Sequence, residues 1–358
     1  MKKDLKIFTT NIEQEAKEQI DLLLKQTAFK NSKIRIMPDV HQGMGCVIGF
    51  TGNLGEKLIP NIVGVDIGCG LLTLNLGKIK LDLKQLDEVI NKYIPSGFKV
   101  HKKRSIKFNL NELKCYPELN DPKRLERSIG TLGGGNHFIE VNIDHEDNLY
   151  LIIHTGSRNL GNQVAKYYQK LAIQTCPDKS LPKDLAYLEG SLRDDYLHDM
   201  NICVEFASLN RQTIADIIVK HLNLKIIDSF ETIHNYIDLS NNIVRKGAIS
   251  AKKGELLTIP INMRDGCIIG LGKGNPDWNY SAPHGAGRLM SRMQARKTVC
   301  FESFKNSMAG IYSTSINRKT IDEAPCVYKP INEILDNVND TIEVLKVIKP
   351  LYNYKASD

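Results

Sequence analysis

Several features are missing from this sequence, and each absence narrows what the chain can be. No apolar run approaches the roughly 20 residues that a helix needs to span a bilayer, so no membrane-spanning helix and no membrane partner are expected. The opening stretch MKKDLKIFTTNIEQEAKEQ has basic residues but no long apolar core and no small-residue cleavage site. It is therefore not read as a signal peptide, and a cytoplasmic protein is expected. The eight cysteines (46, 69, 115, 176, 203, 267, 300 and 326) contain no CxxC pair and no regular spacing. In a cytosolic chain that pattern argues against a disulfide framework or a structural zinc knuckle, and most are expected to be small buried hydrophobes. Internal repeats, low-complexity tracts and Pro/Gly/Ser-rich linkers are also absent.

What remains is ordinary for a globular protein: 358 residues, 42% hydrophobic and 25% charged. That length permits one large domain or two average ones, and either buries a core that needs no disulfide or metal to hold it. The net charge of +7 is a mild basic excess, compatible with a polyanionic partner. Its densest cluster, His101-Lys102-Lys103-Arg104 followed by Lys107, reads either as a solvated loop or as a contact to an RNA backbone.

Helical spacing of apolar residues predicts helices over 11–29, 80–94, 286–297 and 331–338. Much of 160–225 follows the same period, including a long stretch from Asp184 to Leu222. Short β-like runs lie at 33–37, 46–50, 71–76, 137–143, 149–154, 256–259 and 267–271. Strands and helices alternate without a βαβ rhythm, which favours an α+β fold with mixed sheets and surrounding helices over a doubly wound sheet.

The glycines cluster, and most clusters adjoin a candidate ligand. In GVDIGCG (64–70), Asp66 and Cys69 sit three residues apart between glycines, so a tight backbone could aim both at one point. Alone, a buried cysteine beside a turn aspartate explains the segment better. In GGGNHFIE (133–140), a glycine run delivers Asn136 and His137 to a strand. Strand parity puts His137 and Glu140 on opposite faces, so sharing one site requires a bulge or a strand start between them. His154 closes the apolar run LYLIIH, and Arg158 follows in HTGSR, where its guanidinium could grip phosphate. His234-Asn235 is unremarkable by itself. In SAPHGAGR (281–288), His284 stands in a small-residue loop read as a helix N-terminus, a setting that attracts anions. Each piece has a bland structural explanation; six ligand-type residues gathered in such settings do not share one.

The segments MPDVHQG (37–43), GVDIGCG (64–70), GGGNHFIEV (133–141), HTGSR (154–158), HN (234–235), RKGA (245–248), HGAGR (284–288) and EAPCVYK (323–329) resemble, in order, those of the RtcB RNA-splicing ligase family. The likeness runs from residue 37 to Lys355, so one RtcB-like domain over 1–358 is expected. The resemblance implies an RNA ligase that uses GTP and two Mn2+ ions to join 3′-phosphate or 2′,3′-cyclic phosphate ends to 5′-hydroxyl ends. It implies that Asp66, Cys69 and His137 hold one ion, and that Cys69, His154 and His234 hold the second. His284 would be the nucleophile toward GTP, oriented by Asp39. The nucleotide would lie against Asn136, Phe138, Glu140, Asn235, Pro260, Asn262, Met263, Cys267, Gly285, Ala286, Gly287, Tyr328 and Lys355. Phe138 and Tyr328 would sandwich the guanine, and Glu140 and Lys355 would read its edge. Arg158 and Arg288 would clamp RNA phosphate or the nucleotide. By affinity alone, imidazole and thiolate ligands prefer zinc to manganese.

The chain departs from the family pattern in places. It is shorter than many members. Ile261 and Asn262 stand where small residues are usual, Cys267 where a serine is expected, and Val244 where a histidine precedes RKGA. Two other readings use the same residues: a two-metal phosphoesterase or nuclease that activates water, and a non-catalytic RNA-binding protein on the same fold. A covalent GMP adduct separates the ligase from both. The sequence leaves open which RNA is joined and whether an activating protein takes part.

Overall fold

The computed structural model describes residues 4–356; the first three and last two residues of the expected 1–358 unit lie outside them. In chain order the strands are β1 (Leu5–Ile7), β2 (Ile34–His41), β3 (Ile48–Asn53), β4 (Gly70–Gly77), β5 (Phe138–Ile143), β6 (Leu149–Thr155) and β7 (Asp228–Ile233). They continue as β8 (Asn235–Asp238), β9 (Ile243–Lys246), β10 (Ala248–Ser250), β11 (Leu256–Asn262), β12 (Gly266–Gly272), β13 (Ser281–Pro283) and β14 (Ile342–Lys355). The larger helices are α1 (Gln14–Leu24), α2 (Leu83–Tyr93), α3 (Pro122–Glu126), α4 (Arg158–Thr175), α5 (Gly190–Leu222), α6 (Arg292–Thr298), α7 (Phe301–Ser307) and α8 (Ile331–Asn337).

Seven strands form the main sheet in the order β11-β12-β14-β5-β6-β4-β7, every pair antiparallel. A second sheet runs β1-β2-β3-β9-β8, and β10 pairs with β13. The mixture of sheets with flanking helices is the α+β architecture expected. On one face of the main sheet, Leu72, Leu74, Ile139, Val141, Leu151 and Ile153 pack with Leu86 and Ile90 of α2 and Ile214 and Ile218 of α5. Strand parity leaves Phe138, Glu140, Ile152 and His154 on the other face, where the functional residues gather.

The periodic elements form with shifted ends. The expected helix over 11–29 stops at Leu24, and 27–29 make a 3-10 turn. The strand expected from 46 starts at Ile48. The long helical stretch begins at Gly190 rather than Asp184. A larger correction concerns 286–297, where helix starts only at Arg292. Gly287 is left-handed (φ +78°), Arg288 bridges to Tyr328, and the Ser291 side chain caps α6 by accepting from the Gln294 amide. His284 therefore follows β13 on an extended turn and does not stand at a helix N-terminus.

Candidate metal centre and nucleotide pocket

In an antiparallel sheet, strand starts and strand ends alternate along one edge, so residues far apart in sequence meet there. Here Cys69 precedes the start of β4, His137 precedes the start of β5, His154 is the penultimate residue of β6, and His234 follows the end of β7. Because β5, β6, β4 and β7 are neighbours in that order, the four side chains converge. The His234 amide donates to the Cys69 carbonyl (3.0 Å), fixing the last two together. The parity conflict between His137 and Glu140 resolves as a strand start: His137 lies outside β5, so only Phe138 and Glu140 obey its alternation.

The donor atoms form two groups sharing one sulfur: Asp66, Cys69 and His137, and Cys69, His154 and His234, each within 4.8 Å of one another. Cys69 Sγ lies 3.5 Å from His137 Nε2 and 3.3 Å from His154 Nε2. Both imidazoles direct Nδ1 at backbone carbonyls, His137 to Leu132 (2.9 Å) and His154 to Asn136 (3.3 Å). For His154 that contact selects the tautomer whose Nε2 lone pair faces the sulfur, while His137 Nε2 also lies 2.9 Å from Asp66 Oδ2. His234 Nδ1 is buried and has no hydrogen-bond partner among the described residues, a cost that a bound cation would remove. Burial, and then neighbouring imidazoles, holds His154 and His234 well below the usual histidine range, so both are neutral at neutral pH, the form in which an imidazole can bind a metal. Burial raises the Asp66 carboxyl, but the His137 hydrogen bond and charge outweigh it and hold it at about 2. Burial and the Asp66 carboxylate push the Cys69 thiol far up, so a thiolate here needs added positive charge. One carboxylate, one shared sulfur and three imidazoles fit a pair of divalent ions.

The row of imidazoles continues to His284, whose ring centroid lies 4.9 Å from that of His234. The fully buried Asp39 accepts from His284 Nδ1 at 2.6 Å and from the amides of His284 (3.1 Å) and Gly285 (3.2 Å). Nδ1 is thereby occupied and Nε2 is left as the free nitrogen.

A cavity of about 650 Å³ opens beside this row. Of the residues expected around a nucleotide, Asn136, Phe138, Glu140, Pro260, Asn262, Met263, Gly285, Ala286, Gly287, Tyr328 and Lys355 line it. Asn235 does not: its side chain spans the Asp66 carbonyl (3.2 Å) and the Gly247 amide (3.0 Å), bracing the loop that carries Asp66. Cys267 lies behind the wall, its sulfur 3.7 Å from Glu140. Glu140 is held by Asn142 (2.8 Å) and Asn353 (2.5 Å), and burial raises its carboxyl to about 7. Val244, where a histidine was expected, packs in the core beneath the second sheet. Ile261 is buried in another core cluster, while Asn262 accepts from two amides of the β11–β12 turn.

Arg288 and Arg158 are both engaged within the protein. Arg288 meets Glu323 (3.4 Å), the Tyr328 hydroxyl (3.3 Å) and the Asp322 carbonyl (2.6 Å). Arg158, first in α4, donates to Thr131 (3.3 Å) and to the Gly97 carbonyl (3.2 Å). Sequence reasoning missed Glu323, which Lys355 (2.6 Å), Arg292 (2.7 Å), Arg288 and the Tyr328 hydroxyl (2.6 Å) all contact. Burial raises Glu323, but the Lys355, Arg292 and Arg288 charges outweigh it and hold it at about 2. It also missed His41, which lines the cavity and falls to about 4 through burial. Both residues lie inside the segments MPDVHQG and EAPCVYK, which is the one signal that could have found them.

The family model described as "tRNA-splicing ligase RtcB" matches residues 24–118 and 114–356. RNA-splicing ligase RtcB of Escherichia coli (strain K12) is 31% identical over 390 aligned positions, covering 96% of this chain and 95% of that protein. The tRNA-splicing ligase RtcB of Aeropyrum pernix is 28% identical and covers 84% and 82%. That of Nanoarchaeum equitans is 27% identical and covers 87% and 85%.

Proposed function

Since the chain belongs to the RtcB family, we propose that it is an RNA ligase joining RNA 3′-phosphate or 2′,3′-cyclic phosphate ends to 5′-hydroxyl ends at the expense of GTP, through a guanylylated His284. The whole chain acts as one catalytic unit in this reading, in RNA repair or tRNA splicing. The observation that carries it is the Asp39–His284 pair: a buried carboxylate occupies Nδ1 and leaves Nε2 free, beside both the five-donor cluster and a cavity of nucleotide size.

His284 Nε2 attacks the α-phosphorus of GTP, the bond to the β-phosphate oxygen breaks, and pyrophosphate leaves. Asp39 stabilises the positive charge that develops on the ring. Phe138 and Tyr328 hold the guanine between them, with Glu140 accepting from its edge and Lys355 beside it. The guanylyl group then passes to an oxygen of the RNA 3′-phosphate, which frees the histidine. The 5′-hydroxyl of the second RNA end attacks the 3′-phosphorus and expels GMP. A 2′,3′-cyclic phosphate is first opened by water. Two divalent ions held by Asp66, Cys69, His137, His154 and His234, manganese in this reading, would neutralise phosphate charge and polarise the phosphoryl group.

Incubation with α-labelled GTP and manganese tests the intermediate. Label should enter the protein in a linkage labile to acid and stable to alkali, and His284→Ala should not take it up. Unchanged labelling of that variant would make another residue the nucleophile. If no nucleotide labels the intact protein with metal and RNA present, water activation at the same centre becomes the better account. Joining of 3′-hydroxyl to 5′-phosphate ends, with none of the ends named above, would overturn the reaction class.

A further inference from the structure

The nucleotide cavity accounts for one side of the metal centre, and none of its lining residues comes from the loop over 96–107. That loop lies on the Asp66–Arg158 side. The Gly97 amide donates to the Gly133 carbonyl (2.7 Å), its carbonyl accepts from Arg158, and the Gly133 segment runs directly into His137.

Three observations single this loop out. The first is charge: the loop over 96–107 has five Lys or Arg residues and no acid, against +7 for the whole chain. Of these, Lys99, Lys102, Lys103 and Lys107 are exposed and form no ion pair among the described residues, while Arg104 reaches Glu126 only at 3.8 Å. The second is Phe98, which is 84% exposed, the most of any large hydrophobic residue described. One exposed apolar side chain is ordinary by itself; this ring is set apart by the exposed lysines around it on the same loop. The third is rigidity. The Phe98 carbonyl accepts from Arg124 (2.5 Å), His101 donates from its amide to the Arg127 carbonyl (3.0 Å), its ring contacts the Gly130 carbonyl (2.9 Å), and the Ser105 hydroxyl donates to the Ile129 carbonyl (3.0 Å). The backbone is fastened and the ring and ammonium groups are presented outward.

An outward aromatic ring among unpaired cations fits an unpaired nucleic-acid strand: a base stacks on the ring and the flanking phosphates meet the lysines. Duplex offers no free base face within its stack, and an acidic protein surface would account for the lysines but does not call for an outward ring among them. We propose that Phe98 with Lys99, Lys102 and Lys103 forms a platform for a single-stranded segment of the RNA substrate, leading it past Arg158 to the metal centre. This rests on the ligase reading and adds the path by which RNA reaches the centre.

Fluorescence anisotropy with a short single-stranded RNA ending in a 3′-phosphate, across a series of salt concentrations, tests it. Phe98→Ala should weaken binding about ten-fold, the order expected for losing one base–aromatic stack, and Phe98→Trp should restore it. Lys102→Gln with Lys103→Gln should flatten the dependence of log affinity on log salt by about 0.7 for each phosphate that a lysine no longer neutralises. Phe98 is so exposed that its removal does not threaten the fold. Unchanged affinity of Phe98→Ala, or an unchanged salt slope in the lysine variant, overturns the platform. An equal loss on the matching duplex overturns stacking on an unpaired base. Ligation by the unaltered protein distinguishes the two readings: if it ligates while both variants bind normally, only the platform falls. If the unaltered protein binds no RNA, the ligase reading falls and the platform with it.

Discussion

Asp39 Oδ2 sits 2.6 Å from His284 Nδ1, though 245 residues separate them in sequence. Asp39 belongs to the second sheet and His284 to the turn after β13, and the carboxylate also accepts two amides of that turn. It therefore sets both the tautomer and the place of the ring.

Replacing that carboxylate by its neutral isostere should leave the packing nearly intact while removing the charge that stabilises a cationic imidazole. Asp39→Asn is expected to slow protein guanylylation by about 100-fold, a typical share for proton-handling groups. Its metal content, measured in parallel by elemental analysis, should be that of the unaltered protein. A rate within two- or three-fold of the original would remove Asp39 from the mechanism.

Cys69 supplies the one atom common to both donor groups. Cys69→Ala should lower bound metal sharply at both positions, with far-ultraviolet circular dichroism unchanged because the apolar clusters lie elsewhere. Full metal content in the variant would contradict a bridging sulfur.

Gly156 permits a finer separation. A β-carbon there would lie 2.3 Å from Asp66 Oδ1. Gly156→Ala should push Asp66 aside and weaken the ion held by Asp66 and His137 by about 10- to 100-fold, the scale seen when a ligand loses its support. The ion held by Cys69, His154 and His234 should remain, so titration should show one tight and one weak site. Two tight sites would mean that Asp66 is not a ligand.

Glu140 should couple pH to both stability and nucleotide binding, with opposite signs. Burial raises its folded-state value from 4.5 to about 7, so the folded protein binds the extra proton between those values. The stability it contributes is present below about 4.5 and is lost as pH rises through about 7, by about 3 kcal/mol for a shift of this size. The ionised carboxylate is the form that accepts from guanine, so GTP affinity should rise through the same window. Glu140→Gln should flatten the urea-unfolding profile and the GTP-binding profile alike. A GTP affinity independent of pH in the unaltered protein would exclude Glu140 from guanine contact.

The sequence announced its glycine-flanked candidate ligands because close backbone approach has a compositional signature, and Asp66, Cys69 and His137 follow it. His234 has none: its place in the cluster arises from strand order, which puts the end of β7 beside Cys69. Long apolar runs such as LYLIIH made good strands, with ends displaced by a few residues. β14 was not expected at all, because IEVLKVIKPLYNYK mixes charges and a proline that local pattern reads against a strand. Pairing on both sides overrides that local preference. At 286–291 the error ran the other way, since apolar spacing favoured helix while the left-handed Gly287 turns the chain elsewhere.

The placement of β14 also determines which sheet edges its absence would leave open. Its first half pairs with β12 and its second half with β5, so it is the seam between β11-β12 and β5-β6-β4-β7. Until residues 342–355 enter, each partial sheet presents an open edge able to accept a foreign strand. Such distant pairings form slowly, because a long loop must close before any contact rewards it. Cys267 on β12, Glu140 on β5 and Lys355 on β14 come together only when the seam is closed, so GTP binding regained during refolding is expected to report that closure.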